Sequence, residues 1–228
     1  MTNKLLSQEI YDFFEETLPI FEETKQYTVL IDKLSNGQQV PLIPINELRG
    51  TLFHLYKVIK KPDQKAANFL EAKEHIYRAC FDTYSILSSI LINKISETVS
   101  EFKSSTLAEA FPNYHQQLKP QVIFIQTQIG QIRADRETNI DIDKNGDGDE
   151  RQEHIKFLVH ILAQVESMKP DLHQFEMEQL KAKREERKLE ADKEARDKRF
   201  KLVDRALWLI GGILLAILGL YLKNNFGS

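Results

Sequence analysis

The sequence predicts an all-α protein: a helical bundle with a long charged C-terminal helix leading into a single transmembrane helix. Three observations predict it. Apolar residues recur at helical spacing, not at strand alternation, through most of residues 1–170. Acids and bases then interleave at i,i+4 intervals over residues 176–205. Residues 206–222 form a run of seventeen without one charged side chain. The predicted organisation is a helical domain over 1–170, a charged helical stalk over 171–205, a membrane helix over 206–222 and a short tail over 223–228.

Taken in order, residues 3–24 have an amphipathic pattern, with Leu6, Ile10, Phe13, Phe14 and Phe21 among the apolar positions and Pro19 as a point of kinking. The stretch from Tyr27 to Pro44 is less regular. β-Branched runs flank Asn36-Gly37, which suggests a short hairpin, although Pro41 and Pro44 weigh against a paired strand. Asn46 is the expected N-cap of the next helix, whose core face reads Leu48, Leu52, Leu55 and Ile59. Lys61-Pro62-Asp63 breaks it. A long helix follows over about 64–103, with Phe69, Ile76, Cys80, Leu87, Leu91 and Ile95 on its face. Ser104-Ser105-Thr106 and Pro112 mark a connection. Helices over about 114–138 and 150–167 flank an acidic, glycine-containing loop, and Lys169-Pro170-Asp171 opens the last helix.

Composition narrows the function classes. The chain has 228 residues, a formal net charge of −3 and an apolar fraction of 42%. That balance carries no direct nucleic-acid signal. The lone cysteine, Cys80, cannot form an intrachain disulfide and lies among apolar residues, where a thiol is an inert small hydrophobe. The first residues run straight into Glu9, Asp12, Glu15 and Glu16 with no apolar signal core, so the domain is expected not to be exported.

The run from Ala206 to Leu222 has no amide or hydroxyl other than the Tyr221 phenol. As a helix it would be roughly 26 Å long, at the short end for a membrane span. Trp208 and Tyr221 stand near its ends, where aromatic rings favour the membrane interface, and Arg205 and Lys223 bracket it. The twenty residues before it hold eight bases, from Arg187 to Arg205; the tail after it holds only Lys223. The positive-inside bias therefore places the N-terminal domain in the cytoplasm, at the inner membrane. Gly212, Ala216 and Gly219 fall at i, i+4 and i+7, a stripe through which membrane helices associate. The lipid bilayer and further copies of the chain are the expected partners.

Before the span, residues 176–205 contain nine acids and eleven bases, with pairs such as Asp192–Arg196, Glu194–Lys198 and Asp197–Lys201. Such pairs support a helix in water without a core. A heptad seam through Phe175, Ala182 and Leu189 meets Arg196 at its next step, so a solvated stalk competes with a coiled coil.

The stretch from Asp141 to Glu153 resembles an EF-hand loop, with Asp141, Asp143, Asn145, Asp147 and Asp149 as alternating oxygen ligands for Ca²⁺. Read from Asp141 or from Asp143, a glycine falls at the sixth position, but the twelfth is Gln152 or His154 where a bidentate Glu belongs. The competing reading is an acidic surface loop, and Ca²⁺ is the sole cofactor candidate. Arg49 and His54 match the Arg-x4-His spacing of HEPN ribonucleases, an all-helical family; that resemblance implies RNA cleavage by the pair at a dimer interface, with Gly50 where the family has a polar residue. No phosphate loop, zinc spacing or nucleophile elbow is present, and His75, His115, His160 and His173 look scattered, so no enzyme is expected.

The architecture, together with Glu47-Leu-Arg-Gly-Thr-Leu-Phe-His54 and Glu71-Ala-Lys-Glu-His-Ile-Tyr-Arg-Ala-Cys80, resembles prokaryotic membrane effectors of antiviral defence. The resemblance implies an oligomer that senses a protein or nucleotide signal through its helical domain and disrupts the membrane through assembled helices. The alternatives are a tail-anchored adaptor that holds a partner at the membrane and a membrane-tethered ribonuclease.

Overall fold

The computed structural model describes residues 8–38, 40–137 and 148–226, and the side chains of these except 135–137, 148 and 202–226. The described residues are helical, with no strand among them. The chain divides into two units, Met1–Leu172 and His173–Ser228.

In the first unit, α1 (Gln8–Ser35) buries Phe13, Thr17, Thr24, Tyr27 and Ile31 along one stripe. The two threonines satisfy their buried hydroxyls locally: Thr17 donates to the Phe13 carbonyl at 2.7 Å and Thr24 to the Ile20 carbonyl at 2.8 Å. Phe14 and Phe21, expected in the core, lie one step round the helix and are exposed. Pro19 stays inside α1. It and Glu15, whose carbonyl loses its donor, are both exposed, so water can take the place of that bond.

The hairpin expected around Asn36-Gly37 is not there. Tyr27 to Ser35 is the last part of α1, because Tyr27 and Ile31 are needed on its buried stripe. Asn36 and Gly37 instead end the helix, with φ of 52° and 72°, and the Gly37 N–H returns to the Asp32 carbonyl at 3.0 Å. Asn tolerates the left-handed region, and this six-to-one bond closes a Schellman-type cap. The prolines also serve helix ends. Pro41 sits in a tight turn in which the Leu42 N–H reaches the Val40 carbonyl at 2.8 Å, and Pro44 occupies the first turn of α2 (Leu42–Lys60), where a missing N–H costs nothing. Asn46 is therefore an exposed residue inside α2, not its cap.

The core face predicted for α2 is also displaced. Leu52 and Ile59 are 68% and 73% exposed, while Pro44, Thr51 and Val58 are buried with Leu55 half-buried beside them. The helix carries two apolar stripes, and the one through Ile45, Leu52, Tyr56 and Ile59 faces outward. Lys61 then ends α2 with its N–H on the Lys57 carbonyl at 2.8 Å, and a single tight turn over Pro62–Gln64 leads into α3.

α3 (Lys65–Ser100) is the spine of the unit, about 54 Å long at 1.5 Å per residue. Ile76, Cys80, Leu87, Leu91 and Ile95 are buried as its periodicity predicts. Its first half packs through Ala72 and Ile76 against Phe13 of α1, with Leu55 of α2 beside them. Its second half meets the end of α1, α5 (Lys119–Glu137) and the start of α6 (Gly148–Phe226) in one cluster that includes Ile31, Leu87, Leu91, Ile125, Leu158 and Val165. Each fully buried aliphatic side chain there contributes roughly 1.5–3 kcal/mol. Burial pushes the Cys80 thiol up to about 11, so it is neutral and unreactive near neutral pH.

The connection expected at Ser104–Thr106 is itself a short helix, α4 (Ser104–Ala110), since Leu107 is buried with Phe102 and Leu172. A π-turn over Tyr114–Leu118 precedes α5. Pro170 does not start a new helix: α6 runs through it because Val165 and Leu172 on either side are both fully buried. Pro170 and Glu166, whose carbonyl loses its donor, are exposed, as at Pro19.

α1 and α6 are further joined by a buried ion pair. The Arg151 guanidinium donates from Nε to Glu23 Oε1 and from Nη2 to Oε2, each at 3.2 Å, and the Tyr27 phenol donates to Oε1 at 2.6 Å. The side chains of Arg151 and Glu23 are 12% and 5% exposed. Burial is the largest single influence on the Arg151 charge and works against it, but the hydrogen bonds to Glu23 and the attraction of Glu23 and its neighbours together outweigh it and hold the guanidinium protonated. Burial and the neighbouring Glu23 push the Tyr27 phenol up.

In the second unit, residues 181–201 of α6 are exposed throughout. Of the expected pairs, Glu194–Lys198 is seen, at 3.8 Å between side chains more than three-quarters exposed, so it contributes little. Leu189 of the proposed heptad seam is exposed. Among the described residues, no helix is long and apolar enough to cross a membrane. The run at 206–222, with Gly212, Ala216 and Gly219, has a helical backbone within α6, and its side chains lie outside the described residues.

Candidate metal centre

The most chemically loaded surface lies where α2 faces the start of α3. The two helices are held together there by Thr51, whose hydroxyl reaches the Ala72 carbonyl at 3.4 Å, and by Ala72, which is fully buried. On α2, residues 47, 50, 51 and 54 share one face; on α3, residues 68, 71, 72, 75 and 78 do the same. The crossing brings His54, Glu71 and His75 together. One ligand atom from each lies within 4.8 Å of the other two, and the imidazole centroids are 5.3 Å apart.

Each imidazole is held through its Nδ1. His75 Nδ1 is 2.7 Å from Glu47 Oε2, and Glu47 is ion-paired in turn with Arg78, whose Nε lies 3.3 Å away without a hydrogen bond. His54 Nδ1 is 3.2 Å from Asn68 Oδ1. The Asn68 amide donates to the Gln64 carbonyl at 2.8 Å, which fixes which end of the amide faces His54. Both carboxylate and amide oxygens accept, so each Nδ1 is the donor, and in the neutral ring that leaves the Nε2 atom with a lone pair.

Gly50 makes room for this arrangement. A Cβ there would sit 2.7–2.8 Å from three atoms of the His75 ring, so only glycine lets the imidazole lie against the α2 backbone. The imidazoles are half-buried and Glu71 is exposed, which leaves the group open to solvent on one side.

His54 joins this centre, but Arg49 does not: five residues along a helix turn about 140°, and Arg49 is exposed on another face of α2. Asp141, Asp143, Asn145 and Asp147 of the EF-hand-like loop lie outside the described residues; Asp149 is exposed in the first turn of α6, where a negative charge suits the helix dipole. His75, expected to be an isolated histidine, is instead paired with His54. The legible signal was Glu71-x3-His75, an i,i+4 donor pair, lying on the helix after the one that carries His54.

No protein-family model matches the chain, and neither does any curated protein or solved structure.

Proposed function

We propose that the protein is a membrane-anchored oligomeric effector, which senses a signal or partner through its helical domain and disrupts the membrane in antiviral defence. The observation that carries the reading is the uncharged run 206–222 between Arg205 and Lys223, behind eight bases in twenty residues. An uncharged helix of that length is at home in lipid and costly to leave in water, and the basic flank sets the N-terminal domain on the cytoplasmic side. A single helix encloses no pore, so disruption needs several chains. Gly212, Ala216 and Gly219 supply the small-residue face for their approach. The run has no polar lining, so a conducting path between such helices would be apolar and gated by dewetting.

A second reading, the membrane-anchored adaptor, is favoured by the outward stripe of Ile45, Leu52, Tyr56 and Ile59 on α2, which is apolar enough to hold a protein partner. Induction in cells loaded with a potential-sensitive dye separates the two. The effector depolarises the membrane, and Gly212→Leu abolishes both depolarisation and cross-linking between chains, because it adds bulk where backbones meet. An adaptor stays at the membrane and leaves the potential unchanged.

A further inference from the structure

We propose that His54, Glu71 and His75 bind a divalent transition-metal ion of the zinc class, with three protein ligands and an open coordination position toward solvent. The donor set is the first argument. Two imidazole nitrogens and one carboxylate suit Zn²⁺ and its neighbours, whereas Ca²⁺ and Mg²⁺ require oxygen ligands. This site is therefore distinct in chemistry from the acidic loop at 141–149.

Second, the geometry is close to what an ion requires. Ligands about 2.0–2.2 Å from a tetrahedral ion stand roughly 3.3–3.6 Å apart. The three candidate atoms already lie within 4.8 Å of one another. Glu71 is exposed and carries a long side chain, so it can supply most of the remaining approach without moving either helix.

Third, the surroundings are those of a ligating histidine pair. A metal-bound imidazole usually donates its other ring N–H to a carboxylate or amide oxygen, which fixes its tautomer and raises its basicity. With Nε2 of each ring as the ligand atom, Glu47 takes this place for His75 and Asn68 for His54. Both supports are themselves held, by Arg78 and by the Gln64 carbonyl. With neutral imidazoles, Glu47 and Glu71 against Arg78 leave one net negative charge among the groups named, which favours a cation. Gly50 lets one imidazole lie against the backbone of the facing helix, which fixes that ring's position beside the other two donors. An ion held by His54 from α2 and by Glu71 and His75 from α3 would clamp the two helices, and its open position would admit water or a ligand.

The test uses the full chain without a histidine tag. Titration with Co²⁺ should give visible d–d absorption that saturates at one ion per chain and is displaced by Zn²⁺. Thermal unfolding should shift upward with Zn²⁺ and return on addition of EDTA. His54→Ala and Glu71→Gln should each lose stoichiometric binding; Glu71 is exposed, so its variant keeps the fold, as circular dichroism would check. Asn68→Ala should weaken binding by roughly ten- to a hundredfold. His160→Ala, at an exposed histidine of α6, should bind as the wild type does. The proposal is overturned if the wild type shows no saturable Co²⁺ spectrum, or if Glu71→Gln and His54→Ala bind as tightly as the wild type.

Discussion

At the scale of residues, the molecule spends its few buried charges where helices distant in sequence must meet. Glu23 and Arg151 are 128 positions apart and form a two-point ion pair, with Tyr27 on the same carboxylate. A buried pair of this kind contributes little over an apolar replacement, but breaking it strands a charge. Glu23→Ala should therefore cost about 3–5 kcal/mol, read from the unfolding midpoint of the full chain. Adding Arg151→Met should recover part of that loss, because no orphan guanidinium remains. Strictly additive losses would show that the pair acts only through packing. Neither residue stood out in the sequence. Each sits in a stretch of surface-like charge, and only the folded contact between α1 and α6 distinguishes them.

The same limit explains the candidate metal centre. Arg49 and His54 are close in sequence and suggested a site by spacing, yet helical geometry turns them apart. The partners that His54 does meet are Asn68, Glu71 and His75, which become neighbours only once the chain reverses at Lys61–Gln64. Spacing along one helix is readable from sequence; a pairing across two helices needs their rotation about their axes as well.

At the scale of elements, the long helices were legible, whereas their ends and, in α2, the face that is buried were not. The long apolar periodicity of α3 marked its buried face correctly from Ile76 to Ile95. In α2 two apolar stripes compete, and hydrophobicity cannot say which one meets a neighbour. The buried stripe is the one through Pro44, Thr51 and Val58, where the Thr51 hydroxyl reaches the Ala72 carbonyl of α3. The misread hairpin has a related cause. β-Branched residues and Asn-Gly raise the strand signal, but Tyr27 and Ile31 lie four apart and continue the stripe of α1. Likewise Pro170 breaks a helix on average, but not where its lost hydrogen bond faces water and the residues around it are locked in a core. These assignments predict a sharp contrast. Leu52→Ala and Ile59→Ala should change stability by no more than about 0.5 kcal/mol, whereas Leu87→Ala should cost about 2–5 kcal/mol. Chemical denaturation of the three variants checks it. A core-sized loss at Leu52 would mean that its stripe is covered in the protein as it exists, by a partner or a second copy.

At the scale of the whole molecule, each of the two units has its own physical logic. The first, Met1–Leu172, is held by separate apolar clusters packed along α3 and at its end. The second, His173–Ser228, has a solvated helical stretch whose charges need no core, followed along the chain by the uncharged run. That contrast of composition was the most legible feature of the sequence, because charge and hydropathy are properties of residues and need no tertiary contact. The proposed function rests on what such a run does in lipid. Alkaline carbonate extraction of membranes from cells expressing the full chain tests it most directly, beside a variant carrying Leu214→Arg and Leu215→Arg. Each arginine near the middle of a spanning helix costs about 2.5–3.5 kcal/mol of insertion. The wild type should remain in the membrane pellet and the double variant should be released. Wild-type chain recovered in the soluble fraction would contradict the membrane anchor, and with it the effector and the adaptor together.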